Sequence, residues 1–155
     1  MKILSDSPSK TKKLGVLLAK EILKTKNDDS VVIGLKGELG AGKTTFIQGF
    51  AEGLGIKNKI TSPTFVIFRK YKIPRHKLTV NDHEFFYHMD AYRIEKISEL
   101  NPLEFKKIMT LPGGIIVIEW PEKIKKVLLK NTIWLSLKHG SKENERILEF
   151  KNESR

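Results

Sequence analysis

The chain has 155 residues, enough for one domain with a real core and too few for two. It has no cysteine, which excludes disulfides and cysteine-based zinc sites, and no apolar run long enough to cross a bilayer as a helix. The formal net charge is +11, which suits either a nucleic-acid or other anionic partner or a solvated lysine surface, and the second is favoured because the lysines are spread along the chain with no RNA-binding motif.

In chain order, Met1-Lys2-Ile3-Leu4-Ser5-Asp6 lacks the apolar stretch of a signal peptide, and a soluble cytoplasmic protein with no membrane partner is expected. Ser7-Pro8-Ser9 reads as a helix entry, because serine caps and proline is tolerated in the first turn. Leu14, Leu17, Leu18 and Ile22 then mark one face of an amphipathic helix to about Lys24. Val31, Val32, Ile33 and Leu35 form a short β-branched run that reads as a buried strand.

Next comes Gly37-Glu38-Leu39-Gly40-Ala41-Gly42-Lys43-Thr44, which fits G-x-x-x-x-G-K-[ST], the phosphate-binding P-loop. Phe46, Ile47, Phe50, Ala51 and Leu54 follow at helical spacing, and Gly53 and Gly55 end that helix. Strand, glycine loop and helix are the context the motif requires. The glycines let the backbone approach a phosphate, and the loop N–H groups and helix N-terminus face the anion. In this arrangement Lys43 reaches the β- and γ-phosphates, Thr44 binds Mg²⁺ and Thr45 lies by the α-phosphate.

Thr61-Ser62-Pro63-Thr64-Phe65 favours an extended chain, and Val66, Ile67, Phe68 and Tyr71 read as a strand. Thr64 and Ser62 are candidates for a hydroxyl that senses the γ-phosphate, although from spacing alone an ordinary Ser-Pro turn is the better fit. Lys72 to Asp82 looks like a long hairpin connection, and His76 and His83 have no partner at metal-ligand spacing. Glu84 to Met89 is a strand by its aromatic content and ends in Asp90. Ser98 to Met109 is expected as two helical pieces broken near Asn101-Pro102.

Gly113-Gly114 opens a second buried strand, Ile115 to Ile118, which ends in Glu119-Trp120-Pro121. Open α/β sheets bind ligands beyond the carboxyl ends of their strands, so the P-loop, Asp90 and Glu119 are expected to converge there. Each acid alone also suits a helix cap or a salt bridge. Glu122 to Leu129 reads as a short lysine-rich helix, and Thr132 to Leu137 as an edge strand with Arg146 to Phe150 as its hairpin partner. The expected fold is a single-domain α/β P-loop NTPase over residues 1–155, with a central mixed, mostly parallel sheet flanked by helices and a C-terminal β-hairpin.

Taken together, the P-loop through Thr45-Phe46, Ser62-Pro63-Thr64-Phe65, His88-Met89-Asp90-Ala91-Tyr92-Arg93 and Ile118-Glu119-Trp120-Pro121-Glu122 resemble the TsaE family, formerly called YjeE, in the family's motif order. The resemblance implies a bacterial P-loop ATPase needed for tRNA threonylcarbamoyladenosine (t6A37). It also implies a TsaB–TsaD partner pair, with tRNA met only through that pair and the complex reset by ATP hydrolysis between turnovers. By match, Lys43 and Thr44 carry the phosphate and Mg²⁺ roles, and Thr64 is the switch-loop hydroxyl. Asp90 is the Walker-B-like acid, and Glu119 a metal-site or water-positioning carboxylate. Trp120 packs near the nucleotide, and Thr11 and Arg146 flank the base. The 66–87 stretch is longer than the family pattern, and Ala91 stands where leucine is usual.

Two rivals are weighed. A small-molecule kinase needs several arginines to clamp two phosphorylated substrates, and only five are present. A nucleotide-gated binding module would use ATP only to fix a shape. A GTPase is disfavoured, because Asn58-Lys59-Ile60-Thr61 lacks the aspartate that reads guanine.

Overall fold

The computed structural model describes residues 1–61, 68–75 and 83–151. Its strands are β1 (Lys2–Ser5), β2 (Val31–Lys36), β3 (Phe68–Lys72), β4 (Phe85–Asp90), β5 (Gly114–Glu119), β6 (Ile133–His139) and β7 (Arg146–Lys151). Its α-helices are α1 (Pro8–Ile22), α2 (Lys43–Gly53) and α3 (Phe105–Met109), with 3₁₀ segments at Ile97–Leu103 and Pro121–Val127.

Among the described residues the strands form one sheet in the order β1-β7-β6-β2-β5-β4-β3. β2 lies parallel to β5 and β6, and β5 parallel to β4. β3, β7 and β1 join antiparallel at the two sides. Five of the seven strands, β1, β2, β4, β5 and β6, therefore run one way. The near-continuous apolar character of β2 and β5 follows, since a parallel strand covered on both faces must be apolar on both. Every residue of β5 is buried.

The two faces carry separate cores. Ile33, Leu35, Ile115, Val117, Leu135 and Leu137 pack against Phe46, Ile47, Phe50 and Leu54 of α2 and its surroundings. Val32, Ile116, Ile118, Tyr87, Met89 and Trp134 pack on the other side against Phe105, Met109, Ile124 and Leu128. Strand alternation thus decides which residues at the sheet's carboxyl end face the P-loop helix.

Four expectations change. β6 is not an edge strand: it sits between β7 and β2, and β1, which periodicity did not reveal in so short a segment, takes the edge. α1 is capped as expected, with Ser7 Oγ accepting from Lys10 N at 3.3 Å. However, its buried face is Thr11, Gly15, Ala19 and Ile22, while Leu17 is 56% exposed. The two helical pieces before β5 are divided at Glu104 (φ +50°), and Pro102 sits inside the 3₁₀ segment. The expected helix at 122–129 is a 3₁₀ segment kinked at Ile124.

Candidate active site at the carboxyl ends of β2, β4 and β5

The loop between β2 and α2 is built by backbone freedom. Gly40 and Gly42 have φ of +76° and +93°, the left-handed region that a Cβ disfavours, and Gly42 forms the N-cap of α2. With no capping side chain, the first N–H groups of α2 are left to face an incoming anion. Ala41 is buried, Glu38 is exposed, and Leu39 at the loop tip is 91% exposed.

Lys43 is buried and folded back over its own loop. Its Nζ donates to the carbonyl oxygens of Gly37 (2.5 Å) and Glu38 (3.0 Å), and lies 4.8 Å from the Trp120 ring centre. Burial pulls its pKa down, and the carboxylates of Glu119, Asp90 and Glu122 oppose that pull. The ammonium is thus held at the loop mouth by groups a phosphate could replace. Thr44 is exposed at the start of α2, and Thr45 half-buried.

Asp90 and Glu119 close β4 and β5 as direct register partners. Asp90 Oδ1 accepts from Tyr92 N at 2.9 Å, the local turn bond that aspartate makes two residues on. Burial raises the Asp90 pKa; that backbone bond opposes the rise and the neighbouring Glu119 charge adds to it. Glu119 is buried, and its Oε1 lies 2.9 Å from His88 Nε2. Glu119 therefore has a buried hydrogen-bond partner, which spacing did not reveal. His88 stands two residues before Asp90, on the same face of the strand, but only the β4–β5 register brings it to Glu119.

Trp120 has φ +54°, a conformation that costs a non-glycine residue about 1–2 kcal/mol. It swings the ring beside Tyr92, with centroids 5.1 Å apart, and over Lys43. From the other flank, Arg146 Nη2 donates to Gly40 O at 3.2 Å, while Nη1 is held by the carbonyls of Glu143 and Glu145. Thr11 does not reach the loop with its hydroxyl, which is buried 2.8 Å from Ser5 Oγ; Ser5 in turn pairs with Arg146 across β1 and β7. Thr64 and Ser62 lie outside the described residues. A cavity of about 460 Å³ opens beside the loop, lined by Gly37, Glu38, Ala41, Trp120, Ser136 and Lys138 among others.

Among the described residues, no three His, Asp or Glu side chains gather closely enough to hold a metal by themselves. Thr44, Asp90 and Glu119 are the side-chain oxygens the fold brings to this end of the strands, and one or two such oxygens beside waters and phosphates are what a Mg²⁺ ion takes.

A parallel strand, a glycine loop capping a helix, a buried lysine at the loop mouth and two acids on the neighbouring strands define a fold of the P-loop NTPase type. Comparison with known proteins narrows the class. The family described as "Threonylcarbamoyl adenosine biosynthesis protein TsaE" matches residues 5–148, and the chain belongs to that family. It is 35% identical over 150 residues to the tRNA threonylcarbamoyladenosine biosynthesis protein TsaE of Rickettsia typhi, covering 96% of this chain and 93% of that one. Against the protein of the same name from Treponema pallidum it is 33% identical, covering 89% and 91%. The match to the Synechocystis protein, at 39% identity, spans 60% of this chain and 55% of that relative. The crystal structure of Bacillus subtilis YdiB superposes with a TM-score of 0.71 at 30% identity, covering 97% of this chain and 83% of that one. Among the described residues, no helix is long and apolar enough to cross a membrane.

Proposed function

We propose that this protein binds Mg·ATP at the P-loop and hydrolyses it in the service of tRNA threonylcarbamoyladenosine formation. In this reading, hydrolysis resets a TsaB–TsaD complex between turnovers in the cytoplasm, and tRNA is met only through that complex. The observation that carries the reading is the meeting of Lys43 with Asp90 and Glu119 at one end of the parallel strands.

Little covalent work falls to the protein. Water attacks the γ-phosphorus, the bond to the β–γ bridging oxygen breaks, and ADP and phosphate leave. Catalysis is then mainly positioning and charge neutralisation. Lys43 exchanges its two carbonyl partners for β- and γ-phosphate oxygens. The loop from Gly37 to Gly42, with Thr45, supplies N–H and hydroxyl donors. Thr44, at the exposed first turn, is the metal's protein ligand, and Asp90 holds the metal's water shell. Glu119 orients the attacking water, and Thr64 completes the γ-phosphate side. Trp120 and Arg146 border the nucleotide on opposite flanks; Thr11 acts there through Ser5 and the placement of Arg146.

Glu119→Gln tests the reading. A general-base or water-orienting carboxylate contributes about 10²–10⁴-fold, so turnover should fall by at least about 10² with ATP affinity retained. Unchanged turnover, or an ATP-dependent function that survives the substitution intact, would instead favour a nucleotide-gated binding module.

A further inference from the structure

His88 and Glu119 form a buried pair that the hydrolytic scheme above leaves unused on the histidine side. Their side chains are 1% and 5% exposed, and Nε2 lies 2.9 Å from Oε1. The contact follows from register. His88 stands opposite Val117, and Glu119 is two residues further along β5, on the same face, so the two side chains meet diagonally across a parallel strand pair. Phe86 and Val117, which share that face, belong to the core under α2. The imidazole lies nearly parallel to the Phe86 ring, at 11° and 6.5 Å, and Phe86 packs at 5.7 Å from Phe50 of α2. The P-loop helix and the carboxylate are thus linked through ring contacts, parallel between His88 and Phe86 and tilted between Phe86 and Phe50.

The proton arrangement is constrained. Ionised Glu119 is an acceptor only, so the nitrogen facing it must carry hydrogen. His88 Nδ1 is buried with no hydrogen-bond partner among the described residues. A neutral ring protonated at Nε2 leaves one unpaired lone pair there. The opposite tautomer would set two lone pairs against each other at 2.9 Å.

We infer that His88 is a positioning residue. Its Nε2–H holds Glu119 Oε1, fixes the rotation of the carboxylate, and reserves Oε2 for the water that attacks the nucleotide. This rests on the hydrolytic reading of the site. An exposed carboxylate would rotate about its last bond; this one is pinned by a donor whose ring plane is set by packing. A small misplacement of a reacting group can cost about 10²-fold in rate, so the orientation has catalytic weight. A merely structural pair would act on stability alone.

Two variants separate the roles: His88→Leu removes the donor at similar bulk, and His88→Gln returns an amide N–H of comparable reach. Mg²⁺-dependent ATP hydrolysis gives kcat and KM, and a fluorescent ADP analogue gives nucleotide affinity. His88→Leu should lower kcat at least about 10-fold with KM and ADP affinity within about threefold, and His88→Gln should recover most of the loss. A His88→Leu kcat within twofold of the wild type, or a His88→Gln loss as deep as that of His88→Leu, overturns the inference. Long-range ¹H–¹⁵N NMR of the nucleotide-free wild-type protein reads the ring directly: the Nε2–H tautomer is expected, and the Nδ1–H tautomer overturns it. Absence of hydrolysis by the wild type would count against the ATPase reading, whereas the wrong tautomer or an unaffected variant in an active enzyme counts against His88 alone.

Discussion

Lys43 is held by two loop carbonyls that satisfy its ammonium without any ligand. Replacing it with alanine should therefore disturb the fold little and remove the cation that a triphosphate needs. Lys43→Ala is expected to weaken Mg·ATP binding at least about tenfold and to abolish turnover, with calorimetric titration and a thermal melt separating the two effects. Asp90 gives a prediction of opposite sign. Burial raises its pKa in the folded state, so between the ordinary aspartate range and that raised value the folded chain binds more protons than the unfolded one. Stability contributed by this group is therefore full below the ordinary range and is lost as pH rises through the raised value. Asp90→Asn keeps the acceptor for Tyr92 N and removes the half-buried charge. It should melt higher than the wild type at pH 7, with the gap closing as pH falls below the ordinary aspartate range; a lower melting temperature at pH 7 would contradict this. Asp90 and Glu119 were legible because each ends an apolar strand. The His88–Glu119 bond was not, because 31 residues separate the partners and only the β4–β5 register brings them together.

α1 and α2 meet at backbone distance, and glycine makes that possible. A Cβ on Gly49 would overlap the carbonyl of Lys12, one on Gly15 would overlap the carbonyl of Phe46, and one on Gly53 would come within 2.6 Å of Val16 O. Gly49→Ala gains about 1 kcal/mol of helix propensity but must push two helix backbones apart, and overpacking of this kind costs about 1–3 kcal/mol. The clash is with backbone, which cannot rotate away, so net destabilisation is expected. Denaturant unfolding should show a lower midpoint with an unchanged slope, and an unchanged or higher midpoint would rule the close contact out. This packing also explains why the leucine pattern misplaced the α1 face. Apolar periodicity marks where bulky side chains lie, whereas this interface is centred on Thr11, Gly15 and Ala19, and Leu14 and Leu18 flank it half-buried. The misreading of β6 has a similar origin. Its alternation of polar and apolar residues reflects Ser136 and Lys138 on a face that the helical segments do not fully cover, not a place at the sheet's edge.

Across the whole molecule, the net charge of +11 comes from lysines spread along the chain, some of them in loose ion pairs such as those of Lys2, Lys138 and Lys151 around Glu149 at 3.7–3.9 Å. Such pairs contribute about 0–1 kcal/mol each and leave the surface broadly basic. Any tRNA bound by the chain alone should accordingly be held through phosphates without sequence preference, and a filter-binding series should show the affinity collapsing between about 50 and 200 mM salt; salt-insensitive, tRNA-specific binding would assign the surface a recognition role. The fold and the site converge elsewhere, at the carboxyl end of the parallel strands, where a loop readable from eight consecutive residues meets two acids readable from their places at the ends of apolar strands. The most direct measurement is Mg²⁺-dependent ATP hydrolysis by the purified chain, alone and with TsaB–TsaD, with Lys43→Ala as control. Slow turnover that the partners stimulate, absent from the variant, is the expected result. Equal rates with and without partners, or phosphoryl transfer that appears only when a small acceptor is added, would contradict it.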